Sequence, residues 1–232
     1  MAYEDFTTWN EEDPGDELTV TTNTASITTA SSGEQSYIDK SVSFTGDFWI
    51  QYIFNYDTLT ATMDAFIEAP FLTLDNDVSL ASFIYDPYYS GENFRIVLYY
   101  SNYLIEESHS DESIDLDPAT DYYISFKRIG KVYTLEIRTG SHTGTLVDTL
   151  GFETTALDEF NAMAAIVCSP YSTGDTFHVS NLDLAVTAPS VNVKINIGDA
   201  WKDSTMKINV GDVWKTTAQK INISDSWKTV TS

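Results

Sequence analysis

Apolar and polar residues alternate with a period of two along most of this chain, the pattern of half-buried strands. The clearest run is Phe48 to Tyr56. Phe48, Ile50, Tyr52, Phe54 and Tyr56 take one face, and Trp49, Gln51, Ile53 and Asn55 take the other. Apolar residues on both faces predict a central strand in a sheet covered on both sides. Shorter runs predict strands over Leu18–Thr22, Ala25–Thr29, Ala65–Leu74 with Pro70 interrupting, Ser79–Tyr85 and Asn93–Tyr100. Tyr122–Arg128 and Lys131–Arg138 predict a hairpin around Ile129-Gly130-Lys131, with Ile124 and Phe126 opposing Tyr133, Leu135 and Ile137 in the core. Thr145–Phe152, Ala162–Cys168 and Thr176–Val186 complete the strands, and Ala156–Asn161 reads as one short helical turn. Short strands at regular intervals with turn residues between them predict an all-β jelly roll over residues 1–188, a sandwich of two antiparallel sheets.

The end of the chain changes pattern. Lys194-Ile195-Asn196-Ile197-Gly198-Asp199-Ala200-Trp201-Lys202 returns at Lys207–Lys215 and again at Lys220–Lys228, so residues 189–232 carry three 13-residue repeats, with Trp201, Trp214 and Trp227 at equivalent places. Each unit reads strand, turn, strand. A two-residue loop would put Trp201 opposite Asn196, on the polar face. A three-residue loop, Gly198-Asp199-Ala200, pairs Trp201 with Ile197 on the apolar face, and is the expected form because it buries the ring. One such hairpin is too small to stand alone in water. Two readings remain open: a meander packed on its own domain, or an assembly interface built from Ile195, Ile197, Trp201, Ile208, Val210, Trp214, Ile221, Ile223 and Trp227.

Charge narrows the partners. The 232 residues carry a formal charge of −23. Residues 1–188 hold 31 acids and 6 bases, whereas the tail holds 4 acids and 6 bases. An acidic body of this size repels nucleic acid and anionic lipid, so neither is an expected partner. No apolar stretch is long enough to span a membrane. Met1–Phe6 lacks the basic and apolar regions of a secretory signal, so synthesis in a cytoplasm is expected. Cys168 is the single cysteine, which rules out an intrachain disulfide and suggests a buried, inert thiol.

Several segments carry a family resemblance. Leu116–Arg128, which contains Thr120-Asp121-Tyr122-Tyr123, leads into Tyr133–Gly140 and Gly144-Thr145-Leu146-Val147-Asp148-Thr149-Leu150, and the domain closes on Val179–Leu184. This run resembles the concanavalin A-like lectin/glucanase jelly-roll domains found in tailed-bacteriophage and environmental viral proteins. The tail resembles the Lys-Ile-Asn-Ile-Gly-Asp-x-Trp-Lys units near the ends of phage structural proteins. Together the resemblances imply a virion structural protein: a head decoration, head-fibre or tail-fibre-type subunit. Its partners would be other capsid or tail proteins and further copies of itself, a homotrimer among the options. The alternative is a lectin-like module that recognises a host surface glycan.

The same residues carry the candidate chemistry. Glycoside hydrolases of the resembled family use paired carboxylates in a Glu-x-Asp-x-x-Glu strand. Glu68 lacks such a partner, and Asp115 and Asp117 sit in an acidic loop beside Pro118, so no enzyme is expected. Glu106, Glu107, Asp111 and Glu112 with His109 read as a solvated loop or a cation site. His109, His142 and His178 match no metal spacing. For glycan binding, Tyr85, Tyr88 and Tyr89 in the Asp-Pro-Tyr-Tyr loop could stack on a sugar. Legume-type relatives also hold a calcium ion, for which Asp75, Asn76 and Asp77 are the candidate ligands. Calcium is the one cofactor the resemblance brings in.

Overall fold

The computed structural model describes residues 3–28, 35–57, 66–74, 78–84, 96–112, 115–169, 176–184, 193–197, 200–204, 207–210, 213–216, 220–223 and 226–229. The chain separates into two units, Met1–Val186 and Thr187–Ser232.

The first unit contains β1 (Asn10–Glu12), β2 (Leu18–Val20), β3 (Thr24–Thr28), β4 (Ser36–Phe44), β5 (Phe48–Tyr56), β6 (Phe66–Leu74) and β7 (Val78–Ile84). It continues with β8 (Ile96–Asn102), β9 (Glu107–Glu112), β10 (Tyr122–Ile129), β11 (Val132–Thr139), β12 (Thr145–Glu153), β13 (Phe160–Ser169) and β14 (Thr176–Asp183). They form two seven-stranded antiparallel sheets. The first runs β1-β4-β13-β6-β7-β8-β9 and the second β12-β11-β10-β5-β14-β3-β2. The sheets bury one continuous core. From the second sheet come Phe48, Ile50, Tyr52, Phe54 and Tyr56 of β5, Ile124 and Phe126 of β10, and Tyr133, Leu135 and Ile137 of β11. Opposite them lie Leu72, Leu80, Leu98, Tyr100, Met163 and Ile166 of the first sheet. Phe6 and Trp9, edge to face at 5.2 Å, join the same core.

The period-two reading therefore holds for every core position it named in the hairpin. Four expectations do not hold. β5 is central, but only its inner face is fully buried; Trp49, Ile53 and Asn55 on the outer face remain partly exposed. Among the described residues no further strand packs on this outer face, so the apolar residues of β5 there need another explanation. Residues 156–159 form no helical turn; they run irregularly from β12 into β13, with Asp158 tied down by side-chain bonds. The acidic run around His109 is not a loop but the edge strand β9, paired with β8. Charged side chains along a sheet edge discourage pairing with other chains, which is a physical use for that composition.

The fourth correction concerns the tail. Its strands are β15 (Val193–Ile197), β16 (Ala200–Ser204), β17 (Lys207–Val210), β18 (Val213–Thr216), β19 (Lys220–Ile223) and β20 (Ser226–Thr229), joined in three two-stranded ribbons. Ile197 pairs with Ala200 and Asn196 with Trp201, so the connection has two residues, not three. Val210 with Val213 and Ile223 with Ser226 repeat that register. Two-residue connections match the right-handed twist of the flanking strands. That backbone preference outweighs the ring burial on which the longer loop rested. By pleat parity, the tryptophan positions share a face with Asn196, Asn209 and Asn222, opposite the Ile and Val positions. The nine residues named as one apolar interface thus occupy both faces of each ribbon.

Candidate functional site

Among the described residues, no further strand packs on the outer face of the second sheet. The register builds that face in rows. Ser125 lies opposite Glu136 on one side and Gln51 on the other, and Gln51 lies opposite Asp183. The result is a polar row, Glu136–Ser125–Gln51–Asp183, across four strands. A bulge in β14 puts Asp183 in phase: the register slips between Ser180 and Asp183, and Asn181 adopts φ 53° to absorb the extra residue. Gln51 donates to the Ser125 hydroxyl at 2.9 Å, and both are buried, forming the floor.

Aromatic residues flank this floor along the strands. Trp49 sits beside Lys127, whose ammonium lies 5.4 Å from the indole centre. Tyr123 sits between Ile53 and Arg138, with the His142 ring edge-on at 5.3 Å. Four residues of strand separate the two ring positions, about 13 Å. Lys127, Glu136 and Arg138 form an ion-pair chain with contacts of 2.6 and 3.2 Å. Burial alone would raise the Glu136 pKa, but Lys127 and Arg138 outweigh it and hold the carboxyl below its ordinary range. Burial pushes the His142 pKa down, with Asp183 opposing.

The Arg138 guanidinium also donates to the Gly144 carbonyl at 3.0 Å, which ties residues 140–144 to this face. Gly144 is obligatory there, since a Cβ would lie 2.1 Å from the Thr139 carbonyl oxygen. Trp49 Nε1, Asn55 Oδ1, Arg138 Nε and His142 Nδ1 are buried polar atoms without a protein partner; only Trp9 Nε1 and Thr73 Oγ1 share that condition among the described residues. Each such atom costs on the order of 1–3 kcal/mol. Four of these six atoms lie on this face or on residues 140–144 beside it.

Acid–base chemistry finds no support on this face. Glu136 and Asp183 stand three strand spacings apart, about 14 Å, beyond the 5–9.5 Å of glycosidase carboxylate pairs. An ionised, ion-paired Glu136 is also a poor proton donor. Elsewhere, an open groove of about 390 Å³ runs along β11 and β12. Its Asp111 carboxylate is engaged by the Gly151 amide at 2.9 Å.

Other sequence candidates resolve as follows. Tyr85, Tyr88, Tyr89, Asp75, Asn76 and Asp77 lie outside the described residues, as do the side chains of Glu68, Cys168 and the ribbon residues. Asp115 and Asp117 are exposed. His109 bonds Glu107 at 2.7 Å and stacks on Phe152 at 5.2 Å, while His178 bonds Ser26 at 2.8 Å. The described residues contain no group of three His, Cys, Asp or Glu side chains placed to hold a metal ion. The sequence by itself does not single out the outer face, although it holds the signal. The polar positions of the predicted hairpin, Ser125, Lys127, Glu136 and Arg138, fall on the side of Trp49 and Gln51 once the strands pair.

No protein-family model and no curated protein matches the chain. Solved structures do. The exoplasmic/lumenal domain of VIP36, in a Ca²⁺/Man3GlcNAc-bound form, matches with TM-score 0.54 at 8% identity, over 81% of this chain and 89% of that one. A legume lectin-like domain from Entamoeba histolytica gives 0.53 at 13% identity, over 78% and 90%. The β-glucanase of Bacillus licheniformis gives 0.53 at 8% identity, over 78% and 95%. Identities this low carry the fold and nothing finer: the first unit is a concanavalin A-like jelly-roll sandwich.

Proposed function

We propose that the sandwich is a non-catalytic saccharide-binding module and that the outer face of the second sheet is its ligand face. One observation carries this reading: Trp49 and Tyr123 flank a polar row of carboxylate, hydroxyl and amide groups. Aromatic faces suit the C–H faces of sugar rings, and the groups between them donate to and accept from hydroxyls. Separation of the rings by about 13 Å suits an oligosaccharide rather than a single sugar. The lectin-like fold and the wide spacing of Glu136 and Asp183 support binding without turnover.

The test is a glycan array run with calcium and with EDTA. A saturable signal is expected, and Trp49→Ala and Tyr123→Ala should each weaken it by about tenfold or more. Absence of saturable binding, or binding indifferent to both substitutions, overturns the proposal. Loss of signal in EDTA that calcium restores would additionally make binding calcium-dependent.

A second reading coexists with the first: the chain is a structural subunit of a tailed-bacteriophage particle, anchored and oligomerised through its ribbons. Three tandem ribbons of identical register favour it, because units too small to stand alone are stabilised by stacking on other copies. Self-association of the full chain is its first requirement.

A further inference from the structure

Eight large apolar side chains are exposed among the described residues, and six of them gather at one end of the sandwich. Tyr103, Leu104 and Ile105, exposed by 69, 69 and 48%, form the tip between β8 and β9. Ile129 and Val132, at 60 and 44%, flank the β10–β11 turn, and Leu157, at 51%, lies between β12 and β13. Hydrogen bonds fasten these three connections together. The Thr155 amide donates to Glu107 at 2.8 Å, and the Thr154 amide to the Lys131 carbonyl at 3.0 Å. The Gly130 amide donates to Asp47 at 2.7 Å, which brings in the β4–β5 turn. The Asn102 side chain also accepts from the Leu104 amide at 3.0 Å and shapes the tip. Scattered apolar residues are ordinary on a surface, but a fixed cluster of this kind marks an interaction site. Beside Tyr103 is a cavity of about 240 Å³ lined by Asn102, Glu106 and Glu107 among others, small for an organic ligand yet large enough for a side chain.

Charge selects the occupant. Asp47, Glu106, Glu153 and Glu159 are exposed around this end, with Lys131 as the counterweight. A matching surface must bring cations together with apolar groups, and like acidic ends repel each other. Nucleic acid and anionic lipid are repelled for the same reason. Within this chain that combination occurs in the repeats, each of which carries two lysines, one tryptophan and branched aliphatic residues in a tail whose bases outnumber its acids by 6 to 4.

We propose that this apolar, acid-rimmed end of the sandwich docks the lysine- and tryptophan-bearing ribbons of a second copy of the chain. The inference rests on the assembly reading above and specifies which surfaces meet. Such a contact is heterologous, so it propagates head to tail and closes only into a ring.

The experiment uses the full chain in sedimentation velocity at 0.1 M salt, with circular dichroism to confirm that every variant folds. The triple substitution Tyr103→Ser, Leu104→Ser, Ile105→Ser should weaken self-association at least tenfold. Glu106→Lys with Glu153→Lys should weaken it as well. Mixing that charge-reversed chain with one carrying Lys194→Glu, Lys207→Glu and Lys220→Glu should restore association. If substituting Ala for Trp201, Trp214 and Trp227 abolishes association while the Tyr103–Ile105 variant assembles normally, the docking surface is wrong and the assembly reading stands. If the end variants dissociate but the charge-swapped mixture does not recover, the occupant is not the ribbon. A wild-type chain that stays monomeric removes both.

Discussion

Arg128 holds a charge with no solvent around it. Its side chain is fully buried, and Nε donates to the Gly46 carbonyl at 3.0 Å. Further donors reach the Gly46 and Asp158 carbonyls. The guanidinium lies over the Phe48, Phe160 and Tyr133 rings at 5.0, 5.6 and 5.9 Å. Asp158 is fixed in turn by Asn102 at 3.0 Å and by the Tyr100 hydroxyl, whose pKa burial pushes far up. One residue thereby ties the β4–β5 turn to the β12–β13 connection beneath the apolar end. Arg128→Met preserves bulk but strips the donors from two carbonyls. A loss of about 2–4 kcal/mol is expected from urea unfolding. Unchanged or higher stability would mean that desolvation of the cation outweighs its bonds. Nothing in the alternation pattern distinguishes Arg128 from a surface arginine at a strand end. Its role depends on Gly46 and Asp158, far away in sequence.

At the scale of elements, short segments do structural work that resembles a functional motif. In the run Leu116–Tyr122 that carries the family resemblance, the Tyr122 hydroxyl accepts from the Asp117 amide at 2.7 Å. The Tyr56 hydroxyl donates to the Leu116 carbonyl at 2.6 Å, and Ala119 sits at φ 54° with its amide on the Tyr56 carbonyl. That motif is a corner fastener, so it reports fold and not ligand. The connection Gly140–Gly144 has a different part, since it carries His142 onto Tyr123 at the candidate ligand face. Burial lowers the His142 pKa below its ordinary 6.5, so the unfolded chain takes up this proton more readily than the folded one. Its contribution to stability is complete above about pH 6.5, declines as pH falls through that value, and levels off below the folded pKa. His142→Gln should remove that decline when urea unfolding is repeated between pH 7.5 and 5. An identical pH profile for the two proteins would show that the ring is not held against charging.

For the whole molecule, net charge is the dominant non-local quantity. A formal −23 on one chain makes the compact state repel itself, and salt screens that repulsion. Raising sodium chloride from 20 to 500 mM should therefore raise the midpoint of thermal unfolding by a few degrees. A midpoint that falls with salt would show that the paired charges, such as Lys127–Glu136 at 2.6 Å, outweigh the unpaired acids.

Taken alone, the order of residues determined the fold class, the inner face of β5, the β10–β11 hairpin with its core residues, and the tandem ribbons. Each of these follows from a local rule, a period of two along a strand or a repeat of 13 residues. Tertiary structure decided what local rules cannot reach. It set Gln51 beside Ser125, 74 positions away, and let a bulge at Asn181 bring Asp183 into the same row. It gathered the tips at Ile105, Gly130 and Leu157 into one apolar end. It also left Trp49 and Ile53 partly exposed on the outer face of β5, which changed them from expected core into part of a candidate ligand surface. The ribbon register belongs with these, because strand twist selected the shorter connection over the one that burial alone favours. The physical reason is common to all of them: alternation specifies which side of a strand turns away from water, but pairing partners, register and the presence of a second covering layer are properties of distant segments that meet only in the folded chain.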